Sequence, residues 1–379
     1  MNLVYLVHDL HDPAVDRRLR LLTSLGIAPR LLGFHRGDQR VAEVAGVSAE
    51  DLGQTENARL ARRIGSLLSA AARIGRWKAH FIGAEMIVAR NLEMLALATY
   101  ARARYAGNAT LVYECLDVHS MLVGSGLKAR FARAVEGWLL ARCRLLIVSS
   151  PAFVSEHFRP RYGRVPQVLL AENKVLASEF DPAGHQASAH GQPWRIGWFG
   201  VIRCRRSLDL LRELLLARPG RIEVIIRGKP SLNVIPDFHA IVAATPGMSF
   251  LGPYDRGRDL AAIYHDVDFT WALDFYEAGA NSQWLLPNRL YEGGAYGAVH
   301  LAGAQSETGR WLQRHNIGAV LAEPLTDSLR IFADDLDQTI WQKLRQGLLD
   351  LDPAHFVSTQ ADGARFMAAL ESVGPSVKL

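Results

Sequence analysis

The stretch Leu285 to Gly297, LLPNRLYEGGAYG, places several groups able to do chemistry within one turn of each other. Leu286 and Leu290 mark the inward side of a helix, and Pro287 suits its first turn. Asn288 and Arg289 then fall where backbone N–H groups lack partners. Such a helix start attracts an anion through its free donors and a dipole worth roughly half a unit charge. Glu292, one turn further in, lies too deep to cap and is placed to accept hydrogen bonds from the two hydroxyls of a ribose. Gly293 and Gly294 clear side chains where a neighbour must come close. The chemistry that fits is retention of a nucleoside diphosphate. The competing account is a packing helix with a solvated glutamate.

Two more loops extend this set. GVIRCRRS, residues 200 to 207, gathers Arg203, Arg205 and Arg206 just ahead of a helix, a concentration of charge that favours a bound anion. Arg203 and Arg206 are the candidates for the diphosphate, with Lys229 after Gly228 as a weaker cation. The polar loop 274 to 283 offers Asn281 and Ser282 to sugar hydroxyls. In the first half, His8, Asp9, His11 and Asp12 follow one apolar run, and Glu114, Asp117 and His119 follow another. Parallel strands bring such loops to one edge, and a histidine oriented by a carboxylate is a general base for a hydroxyl nucleophile. His11 with Asp117 is the candidate pair, with Asp12 and His119 contacting substrate. The structural alternative has Asp12 capping, His8 packing and Asp117 stabilising a turn. Asp266-Val-Asp268 has metal-pair spacing but opens a buried strand, and no GxGxxG follows a strand, so metal and dinucleotide chemistry are not expected.

These loops need an α/β scaffold. Strands are expected at 3–7, 30–34, 86–89, 110–115, 145–149 and 168–171, alternating with helices. The first helix is marked by Asp12 as cap, Pro13 as opener and Gly26 as stop. After DPAGHQASAHGQP at 181–193, small, polar and linker-like, the alternation restarts with strands at 195–199, 222–226, 248–251, 267–272 and 299–302. The expected organisation is an N-terminal acceptor domain over 1–180, a linker over 181–193 and a nucleotide-sugar domain over 194–350. A C-terminal helical segment, 351–379, packs back on the first domain. At 379 residues the chain suits two cores rather than one.

The net charge of +5 is uneven. Residues 1–180 hold 24 basic against 16 acidic residues, and the remainder 19 against 22. Arg59, Arg62, Arg63, Arg73, Arg76 and Lys78 surround Leu60, Ile64, Leu67, Leu68 and Ile74, a pattern expected to form one basic amphipathic helix suited to an anionic membrane surface. A solvated covering helix is the alternative. Nucleic acid is not expected, since no stacking pattern or DNA-binding motif accompanies the charge. Cys115, Cys143 and Cys204 show no CxxC spacing, which fits a reducing cytoplasm. Met1 to Val7 runs directly into charged residues, so no signal peptide is expected, and no apolar run approaches the length of a membrane span.

HDLHDPAVDRRLRLL at 8–22, VYECLDVHS at 112–120, IVSSPAFV at 147–154, ENKV at 172–175, GWFGVIRCRRSLDLL at 197–211 and LPNRLYEGGAYGAV at 286–299 together resemble bacterial GT-B glycosyltransferases. The likeness is to the exopolysaccharide enzymes of the succinoglycan type, related to glycosyltransferase family 4. It implies two Rossmann-like doubly wound domains facing a central cleft, and a donor, a UDP-sugar, in the C-terminal domain. Glu292 would meet its ribose, and Arg203 and Arg206 its diphosphate. It also implies an acceptor saccharide on a polyprenyl diphosphate at the cytoplasmic face of the inner membrane, with no metal or other cofactor. Family 4 usually carries a second glutamate eight residues before the one on the ribose, where this chain has Trp284. Inverting transfer would need the His11 and Asp117 pair as base; retaining transfer would leave those residues to position the acceptor. A UDP-sugar epimerase of the same architecture and a non-catalytic membrane-surface protein of a polysaccharide assembly complex are the alternative readings.

Overall fold

The structure is a computed structural model that describes residues 1–55, 60–182 and 191–374. It divides into two compact units, 1–172 with 360–379 and 173–359. The sequence reading had placed these boundaries near 180 and 351. Of the expected linker, 183–190 lie outside the described residues, as does Arg59 of the basic segment.

In the first unit the strands are β1 (Leu3–Val7), β2 (Arg30–Arg36), β3 (Glu43–Val44), β4 (Val47–Thr55), β5 (Met86–Arg90), β6 (Thr110–Cys115), β7 (Leu145–Val148) and β8 (Gln167–Leu170). They form one sheet in the order β3-β4-β2-β1-β5-β6-β7-β8, parallel throughout except for the β3–β4 pair. β1, β5 and β6 are buried along their whole length, as parallel strands covered on both faces must be, and their continuous apolar runs made them readable. The β3–β4 hairpin was not expected. VSAEDLGQT is too polar to read as a strand, and it forms because Ala45 and Gly46 both adopt positive φ, a two-residue turn whose twist matches the strands it joins.

Helix Pro13–Ser24 opens as expected, with Asp12 Oδ1 accepting from Ala14 N at 2.9 Å. The basic segment does not form one helix. Helix Leu60–Ala72 is followed by the short turns Ile74–Trp77 and Lys78–Phe81, where Ile74 and Trp77 point into the core. Arg63 turns inward onto Glu93, so the described cations of this segment do not line one face. Helix Gln360–Val373 belongs to the first unit: Phe366, Leu370 and Val373 enter its core, Arg18 stacks on the Phe366 ring, and Thr110 Oγ1 donates to Val373 O.

The second unit holds β9 (Trp194–Ile202), β10 (Ile222–Pro230), β11 (Met248–Phe250), β12 (Phe269–Trp271), β13 (Val299–Gly303) and β14 (Ala319–Leu321), in the order β11-β10-β9-β12-β13-β14 with every described pair parallel. This is the doubly wound order whose direction of growth reverses between β9 and β12, and ligands of such sheets bind outside the carboxyl ends at that reversal. Gly228 and Gly200 face each other in register there, and a Cβ on Gly228 would lie 1.9 Å from the Gly200 carbonyl oxygen. Among the described residues no helix is long and apolar enough to cross a membrane.

Candidate functional site

The helix Asn288–Ala295 sits beside the β9–β12 reversal, with Pro287 as its cap residue rather than its first. Its glycines are explained by packing. A Cβ on Gly293 would lie 2.6 Å from Thr270 Cγ2, and one on Gly294 2.2 Å from the Phe356 ring. His300 Nε2 donates to the Leu290 carbonyl at 2.7 Å from below. Burial holds that imidazole's pKa down at about 4, against a smaller upward pull from the Leu290 carbonyl. The helix is therefore locked to the sheet, which fixes where Glu292 points.

Glu292 is not a solvated residue. It is 3 % exposed, and Oε1 accepts from Arg256 Nε at 2.9 Å while Oε2 accepts from the Tyr264 hydroxyl at 3.2 Å. Arg256 also reaches Glu179 Oε2 at 3.0 Å. Burial lowers the Arg256 pKa, and the Glu292 and Glu179 carboxylates outweigh it, so the group stays charged. A carboxylate offers about four acceptor positions, so two hydrogen bonds leave Glu292 with capacity for hydroxyl donors.

Around Glu292 cations exceed carboxylates. Arg227 on β10, Arg256 at the start of helix Arg256–His265 and Arg289 all lie within electrostatic reach of the Tyr254 hydroxyl, whose pKa burial and Glu292 push up. Each keeps a buried guanidinium nitrogen with no hydrogen bond: Arg227 Nε, Arg256 Nη2 and Arg289 Nη1. These three nitrogens come from three elements around one carboxylate and can donate to an anion. Arg227 and Arg256 escaped sequence reading. Arg227 lies just past the apolar run 222–226, on the extension of β10 to Pro230, and Arg256 opens a helix for which no start was marked.

At the other side of the reversal, Cys204 rather than a hydroxyl or carboxylate caps helix Arg205–Ala217. The Arg203 guanidinium lies 4.5 Å from the Tyr276 ring centroid, and that of Arg206 lies 4.4 Å from Phe275 and 3.1 Å from Glu323. Arg205 is held outward by Asp209 and Asp237. Asn288 is exposed at the helix start. Asn281 and Ser282 are buried, and the Ser282 hydroxyl accepts from Glu277 N at 2.9 Å, so it shapes the loop that carries Phe275 and Tyr276. Trp284 is buried in the position where a second glutamate was looked for. Asp268 accepts from Arg195 N at 2.9 Å, and Asp266 ends the preceding helix, both structural roles.

In the first unit the loop after β1 and the start of helix Leu92–Tyr105 after β5 flank the reversal between those strands. A shallow, open pocket lies there, lined by His8, Phe34, Arg36, Arg63, Glu93 and Met94 among others. Burial lowers the His8 pKa to about 4, Asp12 opposing, so its imidazole is neutral at pH 7. His11 Nδ1 is 3.6 Å from Asp9 Oδ1, so the carboxylate facing it is Asp9. Asp117 is exposed, and its carbonyl accepts from Cys115. His119 Nδ1 accepts from Met121 N; burial, then Arg63, lower its pKa against Glu93. His8 and His119 thus share Glu93 as an electrostatic neighbour, which brings the two predicted groups to one edge. Asn91, between β5 and that helix, holds φ +72 with its Oδ1 buried and unpaired, a strained conformation typical of sites.

No family model matches the chain. It is 41 % identical over 369 residues to the succinoglycan biosynthesis protein ExoL of Rhizobium meliloti (strain 1021), covering 96 % of this chain and 91 % of that one. Its fold matches that of Anabaena Alr3699/HepE, solved with UDP and glucose, at TM-score 0.73, 14 % identity and coverage of 98 % and 100 %. It also matches a sucrose-phosphate synthase of Thermosynechococcus elongatus at TM-score 0.72, 15 % identity and 98 % of both chains.

Proposed function

The chain belongs to the family of the succinoglycan biosynthesis protein ExoL and has the GT-B fold, and from that premise we propose how it works as a glycosyltransferase of exopolysaccharide biosynthesis. In our reading it moves a sugar from a UDP-sugar to a saccharide carried on a polyprenyl diphosphate, at the cytoplasmic face of the inner membrane. The observation that carries the donor assignment is the trio of buried, unpaired guanidinium nitrogens around Tyr254 and Glu292. The solved complexes of Alr3699/HepE with UDP and with UDP-glucose support the choice of base.

The roles follow from charge. Arg289, Asn288 and the helix start hold the diphosphate with Arg227 and Arg256; Arg203 and Arg206 meet it from the β9 loop. These cations replace a metal as counter-charge, so the reading needs no cofactor. As the glycosidic bond breaks, negative charge grows on the leaving UDP, and preorganised donors at that position lower the barrier by several kcal/mol. Glu292 takes the ribose hydroxyls, while the loop shaped by Asn281 and Ser282 faces the sugar. The acceptor belongs to the first unit, with Asp12, Asp117 and His119 positioning it. If configuration inverts, His11 takes the hydroxyl proton, with the Asp9 carboxylate beside it.

The test is transfer from labelled UDP-sugars with and without the lipid-linked acceptor, beside calorimetric titration with UDP, GDP and ADP. Selective UDP binding and acceptor-dependent product are expected; a changed sugar without acceptor would mean epimerisation, and no nucleotide binding would remove the donor site. Arg203→Ala is expected to lower turnover roughly hundredfold with little change in KM, as loss of one transition-state donor does. A wild-type rate removes the assignment.

A further inference from the structure

Helix Leu127–Leu140 in the first unit carries an apolar line on its outer side that nothing in the proposed chemistry uses. Leu127, Phe131 and Trp138 are 79, 73 and 54 % exposed. At about 100° per residue these positions, with exposed Ala134 between them, fall within roughly 60° of arc and span about 16 Å of helix. The opposite side buries Ala129, Ala132, Leu139 and Leu140, so the helix is amphipathic in both directions. Large apolar side chains exposed in one line mark an interaction surface.

The charges say what it meets. Glu136, the only acidic residue from 126 to 144, points inward, where His157 Nε2 lies 2.7 Å away and the Tyr113 and Tyr162 hydroxyls also donate to it. Lys128, Arg130, Arg142 and Arg144 are exposed. The Arg142 guanidinium lies 3.4 Å from the Trp138 ring centroid, a cation resting on an indole as at a membrane interface. Two copies docked across this line would oppose their own cations, whereas an anionic lipid surface accepts both the rings and the charges.

We propose that helix Leu127–Leu140 is the membrane-docking element of this protein, lying in the headgroup region of an anionic bilayer with Leu127, Phe131 and Trp138 inserted. This rests on the reading of the acceptor as lipid-linked, and it replaces the basic segment 59–78 as the principal contact.

The test sediments the full chain with vesicles of phosphatidylcholine alone and with about 30 % phosphatidylglycerol. Phe131→Ser/Trp138→Ser and Lys128→Glu/Arg130→Glu are compared with wild type, and UDP affinity is titrated in each protein to report separately on the donor reading. The wild type is expected to bind the anionic vesicles, and both double variants to lose at least tenfold in partition coefficient with unchanged UDP affinity. Wild type that ignores the vesicles, or variants that bind as wild type does, would overturn the proposal. So would a concentration-dependent wild-type dimer that the apolar variant abolishes, since that outcome assigns the surface to a second copy.

Discussion

Glu114→Gln is expected to lower the stability of the first unit by about 3 to 5 kcal/mol, the range for leaving a buried charge without its partner. Glu114 is fully buried on β6 and joins three groups: Arg18 Nε donates to Oε1 at 2.7 Å, while the Tyr5 hydroxyl at 2.6 Å and Arg90 Nε at 3.0 Å donate to Oε2. Arg90 continues outward to Asp12 at 3.5 Å and to the Ala14 carbonyl at 3.0 Å. The amide keeps the volume but strands two buried guanidinium groups, so the loop carrying His8 and His11 loses its anchor as well. Burial pushes the Glu114 pKa up, but Arg90 and Arg18 overcome it and bring the carboxyl to about 2, below its ordinary 4.5. A depressed carboxylate stabilises the fold above the unfolded pKa, and that contribution disappears as pH falls from about 4.5 toward 2. Its size, at 1.36 kcal/mol per unit, is about 3 kcal/mol. Urea unfolding between pH 7 and pH 3 checks this: wild type should weaken across the acid range, and Glu114→Gln should start weaker and lack that part of the slope. A variant as stable as wild type at pH 7 would show that the network does not hold the loop.

The same network shows how far sequence reaches. Glu114 was grouped with Asp117 and His119 because all three follow one strand, but a position inside the strand faces the core and a position past its end faces solvent. β6 ends at Cys115 and is covered on both faces, so Glu114 is buried and Asp117 is not, and the sequence does not mark that end sharply. The strand runs, the Asp12-Pro13 helix start and the inward Leu286 and Leu290 were legible because local periodicity and capping act over a few residues. The approach of Asp9 to His11 was not, since two residues within one loop share no periodic signal. Nor was the inward turn of Arg63 onto Glu93. Between the strands expected at 110–115 and 145–149, helix Leu127–Leu140 carries an outward line of large apolar residues that went unread, because a hydrophobic period does not say which of two stripes meets the core. In the second unit the proposed anion site draws on residues from β10, the helix at 256 and the helix at 288. The doubly wound order brings these together, and no spacing records it.

Glu292→Gln is expected to raise the Kd for UDP about a hundredfold, equivalent to about 2.7 kcal/mol, roughly two hydrogen bonds from ribose hydroxyls to a charged acceptor. The amide is the informative substitution. Glu292→Ala would also strand the Tyr264 hydroxyl and leave Arg256 with Glu179 alone, so a loss of binding there would be confounded by a loss of fold. In Glu292→Gln the Oε1 acceptor toward Arg256 can persist while the negative charge goes. Removing that charge leaves Arg227, Arg256 and Arg289 less neutralised, which favours an anion by simple electrostatics. Pyrophosphate, having no ribose, should therefore bind the variant as well as or better than wild type, while UDP binds it far worse. That opposition separates the two roles within one site. Equal losses for pyrophosphate and UDP would mean that Glu292 only holds Arg256 in place, and the ribose assignment would fall while the phosphate assignment stood.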